Sequence, residues 1–272
     1  MQIWVLGSGS GGNAVLIQSG DCRFLIDAGF TPRVMNQRLR AIDVPPDSIQ
    51  SVIVTHEHFD HAKGVAACAR RWNWSVIATG GTRMMCSEWT ELPIQIVERK
   101  SRFALGLFEV QTLPVCHDAT EPIGLIVTHT QTGARAGIVY DLGCVTETVS
   151  SAIQNLDVLI LESNHDEHML RAGPYPQSVQ ERISGRNGHL SNRDAARTAA
   201  DSVHAGLRHV VLAHLSERCN DPKVALKATG DALRRTRFKG RLTASAQNLI
   251  AGPFTLGAEE PSTRTAQLAL GI

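Results

Sequence analysis

The fold is decided by one stretch, Ser51-Val52-Ile53-Val54-Thr55-His56-Glu57-His58-Phe59-Asp60-His61. Its first five residues are mostly apolar and β-branched, which predicts a buried strand that ends at His56. The next six residues place three histidines and an aspartate in the order H-x-H-x-D-H. Imidazole and carboxylate groups are ligands that borderline divalent metals accept. The stretch therefore predicts a metal cradle in a tight loop directly after a strand.

Three further candidate ligands follow other apolar runs of the chain. His117, Asp141 and His214 each come directly after residues that are typical of a strand. Any one of them fits an ordinary loop residue, but together with the cradle they form a set that we expect at one edge of a sheet. The remaining histidines repeat this pattern less cleanly and are interpreted as structural or surface residues: His129, His204 and His209.

The order of predicted elements favours an α/β fold in one domain over residues 1–256. Short strands joined by glycine-rich turns fill the first third of the chain, and helices alternate with strands later, which predicts a mixed sheet with helices packed outside it. Residues 257–272 are small and polar with a few leucines, and we expect a loose tail there. The principal predicted helices are Pro32–Ala41, Ala62–Trp72, Thr146–Asn155, Arg193–His204 and Pro222–Thr236.

Composition excludes some classes of protein and favours others. The 272 residues are 43% hydrophobic and 19% charged, which suits a globular protein, and no run approaches the roughly 20 apolar residues of a membrane span. A net charge of +1 gives no overall positive field that would indicate a nucleic-acid partner. The six cysteines form no C-x-x-C pair and the first residues carry no signal-peptide pattern. We therefore expect a cytoplasmic protein without disulfides.

The chain resembles the metallo-β-lactamase superfamily, and within it the YycJ branch of exonucleases. The resemblance covers nearly the whole chain. It implies a four-layer αββα sandwich with two divalent metal ions at one rim, Zn²⁺ first and Mn²⁺ as the alternative. The matching motifs are Gly7-Ser8-Gly9-Ser10-Gly11-Gly12-Asn13, Leu25-Ile26-Asp27-Ala28-Gly29, Thr55-His56-Glu57-His58, His117-Asp118-Ala119, Asp141-Leu142-Gly143, Leu161-Glu162-Ser163-Asn164-His165-Asp166, Gly188-His189-Leu190-Ser191-Asn192 and Leu212-Ala213-His214-Leu215-Ser216.

The same resemblance implies a role for each candidate ligand. The first metal would be held by His56, His58 and His117. The second metal would be held by Asp60, His61 and His214, with Asp141 bridging both. Phe59 departs from the small serine or alanine common in the family, which leaves the ligands intact but alters the pocket beside them.

Two further features resemble the ribonuclease Z branch, in which a glutamate and a histidine form a proton relay. Glu162 after an apolar strand matches the first, and His189 in Gly188-His189-Leu190-Ser191 matches the second. Asp60 would then both ligate and orient the attacking water, and His189 backed by Glu162 would protonate the leaving group. The predicted substrate-binding residues are Arg186, Arg193, Ser191 and Asn192.

These features predict a dinuclear metal-dependent hydrolase. The expected activity is that of a phosphodiesterase or nuclease, with a 5′-exonuclease as one form of it. Nucleic acid, DNA or RNA, is the expected partner, and a homodimer is allowed. The alternative is hydrolysis of another ester or amide, such as a thioester or a β-lactam. Asp141 stands where two lactamase subclasses use cysteine, and His58 stands where a redox di-iron relative carries glutamate. Glu162 follows Asp141 by only 21 positions, which excludes the large insertion of the β-CASP nucleases.

Overall fold

Two seven-stranded sheets form the centre of the computed structural model, which describes residues 1–257. The predicted tail at 257–272 lies, apart from Gly257, outside the described residues. The first sheet has the order β14 (Ala251–Thr255), β1 (Gln2–Gly7), β2 (Ala14–Ser19), β3 (Cys22–Ile26), β4 (Ser51–Ile53), β5 (Ser75–Thr79) and β6 (Ile94–Val97). The second has the order β13 (Arg241–Ala244), β12 (His209–Ala213), β11 (Val158–Glu162), β10 (Arg135–Val139), β9 (Ile123–His129), β8 (Phe108–Pro114) and β7 (Arg102–Leu105).

Helices cover the outer faces of both sheets. They are α1 (Pro32–Arg40), α2 (Phe59–Ala62), α3 (Val65–Trp72), α4 (Gly80–Met85), α5 (Glu147–Ala152), α6 (Glu167–Ala172), α7 (Gln177–Ser184), α8 (Asn192–Asp201) and α9 (Pro222–Leu233), with 3-10 turns at Pro46–Ser48 and Ser87–Trp89. Apolar residues of α1 and α3 pack on the first sheet, and those of α5, α8 and α9 pack on the second. The predicted four-layer αββα sandwich is therefore confirmed.

A third apolar core lies between the two sheets and holds them together. Phe24 of the first sheet meets Phe108 of the second edge-on, with ring centroids 5.4 Å apart. Strand β11 is buried along its whole length, so its apolar residues pack on both faces. Such a strand appears as a continuous apolar run rather than an alternating one, which is why the sequence identified it readily.

The chain departs from the predicted elements around the metal cradle. The predicted strand ends earlier, at Ile53, and a one-turn helix, α2, begins at Phe59 inside the predicted loop. The predicted helix from Ala62 is two elements, since α2 ends at Ala62 and α3 begins at Val65. Gly64 lies between them, where an added Cβ would lie 1.9 Å from the carbonyl oxygen of Phe30. Helices α4, α6 and α7 were not predicted at all.

Parallel pairing decides where the candidate residues meet. Strands β10, β11, β12 and β13 are parallel neighbours, as are β3, β4, β5 and β6. The carboxyl ends of parallel strands lie at one edge of a sheet, which is where open α/β sheets bind ligands. Within residues 1–257 the structure contains no helix that is long and apolar enough to cross a membrane.

Candidate metal centre

The seven predicted ligands come together where the strand ends of the two sheets face each other. The first predicted triad is His56, His58 and His117, and one ligand atom from each lies within 4.8 Å of the others. His56 follows β4, and His117 follows β8 of the opposite sheet. The Nε2 atom of His117 lies 3.1 Å from the Nδ1 atom of His58, so these two nitrogens face a common point.

The second predicted triad is equally compact. Asp60, His61 and His214 again have ligand atoms within 4.8 Å of one another. The Oδ2 atom of Asp60 lies 3.1 Å from His214 Nε2 and 3.3 Å from His61 Nε2. Asp141 approaches both triads, because its Oδ2 lies 2.9 Å from His61 Nε2 and its Oδ1 lies 4.0 Å from His117 Nε2. This placement is the one that a bridging carboxylate needs.

Hydrogen bonds orient the imidazoles of this centre through the ring nitrogen that faces away from it. Nδ1 of His61 lies 2.7 Å from Asp27 Oδ2, and Nδ1 of His117 lies 3.1 Å from the carbonyl oxygen of Gly188. Nε2 of His58 lies 3.2 Å from the carbonyl oxygen of Asp118. A proton on each of these nitrogens leaves the other ring nitrogen with a lone pair directed at the cluster, which is the arrangement of metal-ligating histidines.

Whether a cation fits this centre can be judged from its buried polar atoms and their hydrogen-bond partners. His56 Nε2 is buried and makes no hydrogen bond among the described residues, and the neighbour of buried Asp141 Oδ2 at 2.9 Å is His61 Nε2, another candidate ligand atom. A buried polar atom without a partner is costly, and a cation among these atoms would satisfy them. With nitrogen and oxygen donors only, the set suits Zn²⁺ or Mn²⁺. The residues present therefore fit divalent metal ions.

Asp27 was missed as a site residue, although its motif contributed to the resemblance. Its carboxylate is fully buried at the end of β3 and accepts hydrogen bonds from the Thr55 hydroxyl at 2.9 Å and the Tyr140 hydroxyl at 2.8 Å, in addition to His61. Asn13 was also missed; its side-chain amide lies 3.2 Å from Asp60 Oδ2. The signal that could have found Asp27 is the same strand-end position that identified Asp141.

Three residues at the strand ends adopt left-handed backbone conformations. The φ angles are 60° for Asp27, 52° for Asp141 and 53° for His214. Residues other than glycine rarely adopt positive φ, and such strain is concentrated at functional sites, where the surrounding structure holds it. Here it turns the chain sharply after each strand, so that the side chain points across the sheet edge.

Glu162 and His189 form a pair beside the second triad. Glu162 is fully buried, and its Oε1 lies 2.7 Å from His189 Nδ1 and 3.1 Å from His214 Nδ1. Its other oxygen accepts the backbone N–H groups of Leu142 and Leu190 at 2.8 and 3.1 Å. Glu162 therefore joins the loops after three strands and fixes the His189 ring, whose Nε2 has no hydrogen-bond partner among the described residues.

Opposite charges shift the pKa values within the cluster. Burial alone would lower the pKa of His189, but Glu162 and Asp141 outweigh it and raise that pKa to about 10. Burial likewise opposes the charged form of His214, and Asp141, Asp60 and Glu162 raise its pKa to about 9. For Asp141, burial is outweighed by His214 and His61, which hold the pKa well below its ordinary value. The cluster thus balances its carboxylates with positive charge.

The predicted arginines lie on the surface near the relay. Arg193, at the start of α8, pairs with Glu167 at 2.8 Å and has 76% of its side chain exposed. Arg186 is exposed in the loop before His189. Neither contacts a predicted metal ligand, so their predicted contact with substrate stays a prediction.

Ser191 and Asn192 have partners inside the protein. Ser191 caps α8 by accepting the N–H of Asp194, and Asn192 is buried and accepts hydrogen bonds from Ser163 at 2.6 Å and Asn220 at 2.9 Å. These contacts favour a structural role, and substrate binding by both residues stays a prediction. Asn220 was not predicted; its amide also donates to the carbonyl oxygen of Asn164, whose side chain donates to the carbonyl oxygen of His214.

The sandwich and its rim of histidines and aspartates define a class of protein, the hydrolases of the metallo-β-lactamase fold. The family model described as "Beta-lactamase superfamily domain" matches residues 22–215, and the chain belongs to this family. A solved structure, the metallo-β-lactamase fold protein YhfI from Bacillus subtilis, superposes with a TM-score of 0.68 at 16% identity, over 92% of this chain and 99% of that one.

Curated relatives confirm both branches of the resemblance. "Exodeoxyribonuclease YycJ" of Bacillus anthracis is 30% identical over 244 residues, which are 86% of this chain and 89% of the relative. "Exodeoxyribonuclease WalJ" of Streptococcus pneumoniae is 27% identical over 227 residues, with 81% and 84% covered. "Ribonuclease Z" of Aeropyrum pernix is 28% identical over 214 residues, with 74% and 61% covered. The chain is similar to these proteins, and its family and site make it a metal-dependent hydrolase.

Proposed function

We propose that the protein is a phosphodiesterase that hydrolyses nucleic acid, and that its activities include removal of nucleotides from the 5′ end. The observation that carries this proposal is the contact of 2.7 Å between Glu162 and His189 directly beside the two candidate metal triads. Hydrolysis of a diester creates an alkoxide that needs a proton. A histidine held by a buried carboxylate, with its second nitrogen free, is suited to supply it.

Each residue has a definite part in this reaction. When bound by the two triads, divalent metals supply charge that polarises the phosphate and activates water. Asp60 presents a partly exposed carboxylate that would orient the attacking water, and Asp141 would offset the charge of the bound cations. His189 donates its proton to the leaving alkoxide, while Glu162 stabilises the imidazolium and fixes the ring.

The names of the relatives support nucleic acid as the substrate. Two relatives that cover more than four fifths of the chain are named exodeoxyribonucleases, and one that covers 74% is named ribonuclease Z. DNA is therefore the first substrate to test. Arg186 and Arg193 lie in and next to the loop that carries His189, where guanidinium groups would contact backbone phosphates.

A panel of substrates tests the proposal. Protein loaded with Zn²⁺ or Mn²⁺ is assayed on 5′-phosphorylated DNA, RNA, bis-p-nitrophenyl phosphate, a β-lactam and a thioester. We expect hydrolysis of the diesters, DNA foremost, with loss of activity on chelation and recovery on adding metal back. Turnover of the lactam or thioester far above every diester would refute the proposal, as would full diesterase activity in Asp60→Ala.

A further inference from the structure

Phe59 is the most exposed of the large apolar side chains in the described part of the chain, with 75% of its surface accessible. It begins α2, between the candidate ligands His58 and Asp60. Leaving a phenylalanine in water forgoes the free energy that its burial would give. An exposed aromatic side chain in this position suggests contact with a ligand rather than packing within the protein.

Most of the cluster is buried, but part of it reaches solvent. His56, His61, His117, Asp141 and His214 are buried. The side chains that reach solvent are those of His58, Asp60 and His189, with exposures of 36%, 21% and 20%. Phe59 lies between the first two of these along the chain, at the rim that His58 and Asp60 form.

A cation accompanies the ring. The ammonium nitrogen of Lys63, one helical turn further on, lies 5.0 Å from the centroid of the Phe59 ring. It donates a hydrogen bond of 2.5 Å to the carbonyl oxygen of Gly11, which holds it at the rim. An aromatic face beside a positive charge matches a nucleotide, whose base stacks and whose phosphate is anionic.

Another aromatic pair that could stack bases, Trp72 and Trp74, lies elsewhere. Trp74 is fully buried, and its indole N–H donates to the carbonyl oxygen of Pro46 at 2.8 Å. Trp72 stacks on it with ring centroids 5.2 Å apart. This pair belongs to the core under the first sheet, whereas Phe59 is exposed beside the candidate ligands.

We propose that Phe59 is a stacking surface for the base of the nucleotide whose phosphodiester lies at the metal centre. This inference rests on the proposed function and adds a substrate preference to it: diesters that carry a base beside the cleaved bond over diesters that lack one. The ring positions the substrate and takes no part in proton transfer.

The test compares oligonucleotides that differ only in one base. Metal-loaded wild type, Phe59→Ser, Phe59→Trp and Ile96→Ser receive 5′-phosphorylated single strands with a normal or an abasic residue at each of the first three positions. Ile96→Ser is the matched control, because it removes a side chain that is 54% exposed on the edge strand β6. Metal content and the thermal midpoint are measured for every variant.

We expect wild type, Phe59→Trp and Ile96→Ser to prefer the intact strand over the abasic one by roughly 5- to 150-fold in kcat/KM, mainly through KM. In Phe59→Ser this ratio falls towards one at a single position. The same ratio in Phe59→Ser and wild type would overturn the inference.

Binding is measured separately with phosphorothioate-protected strands and fluorescence anisotropy. If wild type cleaves no diester but binds the intact strand more tightly than the abasic one, and Phe59→Ser does not, the proposed function fails and the stacking surface stands. If diesters are cleaved and neither turnover nor binding depends on Phe59, the stacking surface fails and the proposed function stands.

Discussion

The metal centre is built from two unequal halves. The half under the first sheet comes from six consecutive residues, His56 to His61, which supply four of the candidate ligands. The half at the second sheet comes from separate strand ends: His117 after β8, Asp141 after β10, Glu162 at the end of β11 and His214 after β12. A compact loop can form half a site locally, whereas the second half depends on parallel register across a whole sheet.

The two halves are also held in different ways. His61 depends on one buried carboxylate, Asp27, which gathers hydrogen bonds from Thr55 and Tyr140. The second half depends on Glu162 and on an amide network under His214. The comparison shows that His61, in the local half, is oriented by one buried carboxylate, whereas Glu162 and His214 of the distributed half are held by several contacts between loops.

Removing the residue shared by both halves has the largest expected effect. Asp141→Ala takes away the carboxylate that approaches both triads, and we expect activity on bis-p-nitrophenyl phosphate to fall to background and bound metal to decrease. Chelation of wild type has the same result. Metal analysis and initial rates check this, with Asp21→Ala, whose side chain is fully exposed, as the control. Wild-type metal content and rate in Asp141→Ala would contradict it.

His189→Ala tests the distributed half and leaves all seven predicted ligands in place, although His189 Nδ1 lies 3.3 Å from Asp141 Oδ1. We expect kcat on DNA to fall by roughly 10²- to 10⁴-fold, as for loss of a general acid, while metal stays bound. His204→Ala is the matched control, because His204 donates to the carbonyl oxygen of Leu156 at 2.8 Å, away from the cluster. A small loss of kcat, or a loss that follows metal content, would assign His189 to structure instead.

Asp27→Asn tests the orienting group of the local half. An amide cannot supply the charge that favours the His61 proton on Nδ1, and we expect metal affinity to fall by roughly 10- to 100-fold. Competition with a zinc-binding dye measures the affinity. Asp43→Asn serves as a control, since Asp43 has a similar positive φ but lies in an exposed turn. Unchanged affinity in Asp27→Asn would show that a neutral acceptor is enough to position the ring and that the carboxylate charge is not needed.

Asn220→Ala tests the amide network of the distributed half. The side chain is buried and bonded to Ser163, Asn164 and Asn192, so truncation leaves buried polar groups without partners. We expect the free energy of unfolding to fall by about 1–3 kcal/mol, measured by urea denaturation. kcat should change far less than in His189→Ala. Unaltered stability would mean that water replaces the lost amide.

The surface arginines are expected to have the smallest effect. Arg186→Ala and Arg193→Ala each remove one exposed positive charge, and we expect DNA affinity to fall a few-fold and the salt dependence of binding to weaken by about one unit of slope. Filter binding at several salt concentrations checks this. Arg40→Ala, in the last turn of α1, is the comparison variant. If the dependence of DNA affinity on salt is the same in wild type and in the three variants, neither arginine contacts the substrate.

The sequence by itself determined the local half of the centre and the class of fold. Ligands packed into six residues after an apolar strand are visible without a structure, because the spacing alone forces them together. The apolar runs before His117, Asp141 and His214 are also visible in the sequence, because a strand that is buried on both faces is apolar along its whole length. The one-turn helix α2 was missed because four residues carry no periodic signal.

Only the tertiary structure decided which groups orient these ligands. Asp27 lies 34 positions before His61, Glu162 lies 27 before His189, and Asn220 lies 28 after Asn192. Such pairs meet because parallel strands bring their ends to one edge and left-handed turns redirect the chain there. The exposure of Phe59 is likewise a tertiary property, since an apolar residue in sequence gives no sign of which way its side chain faces.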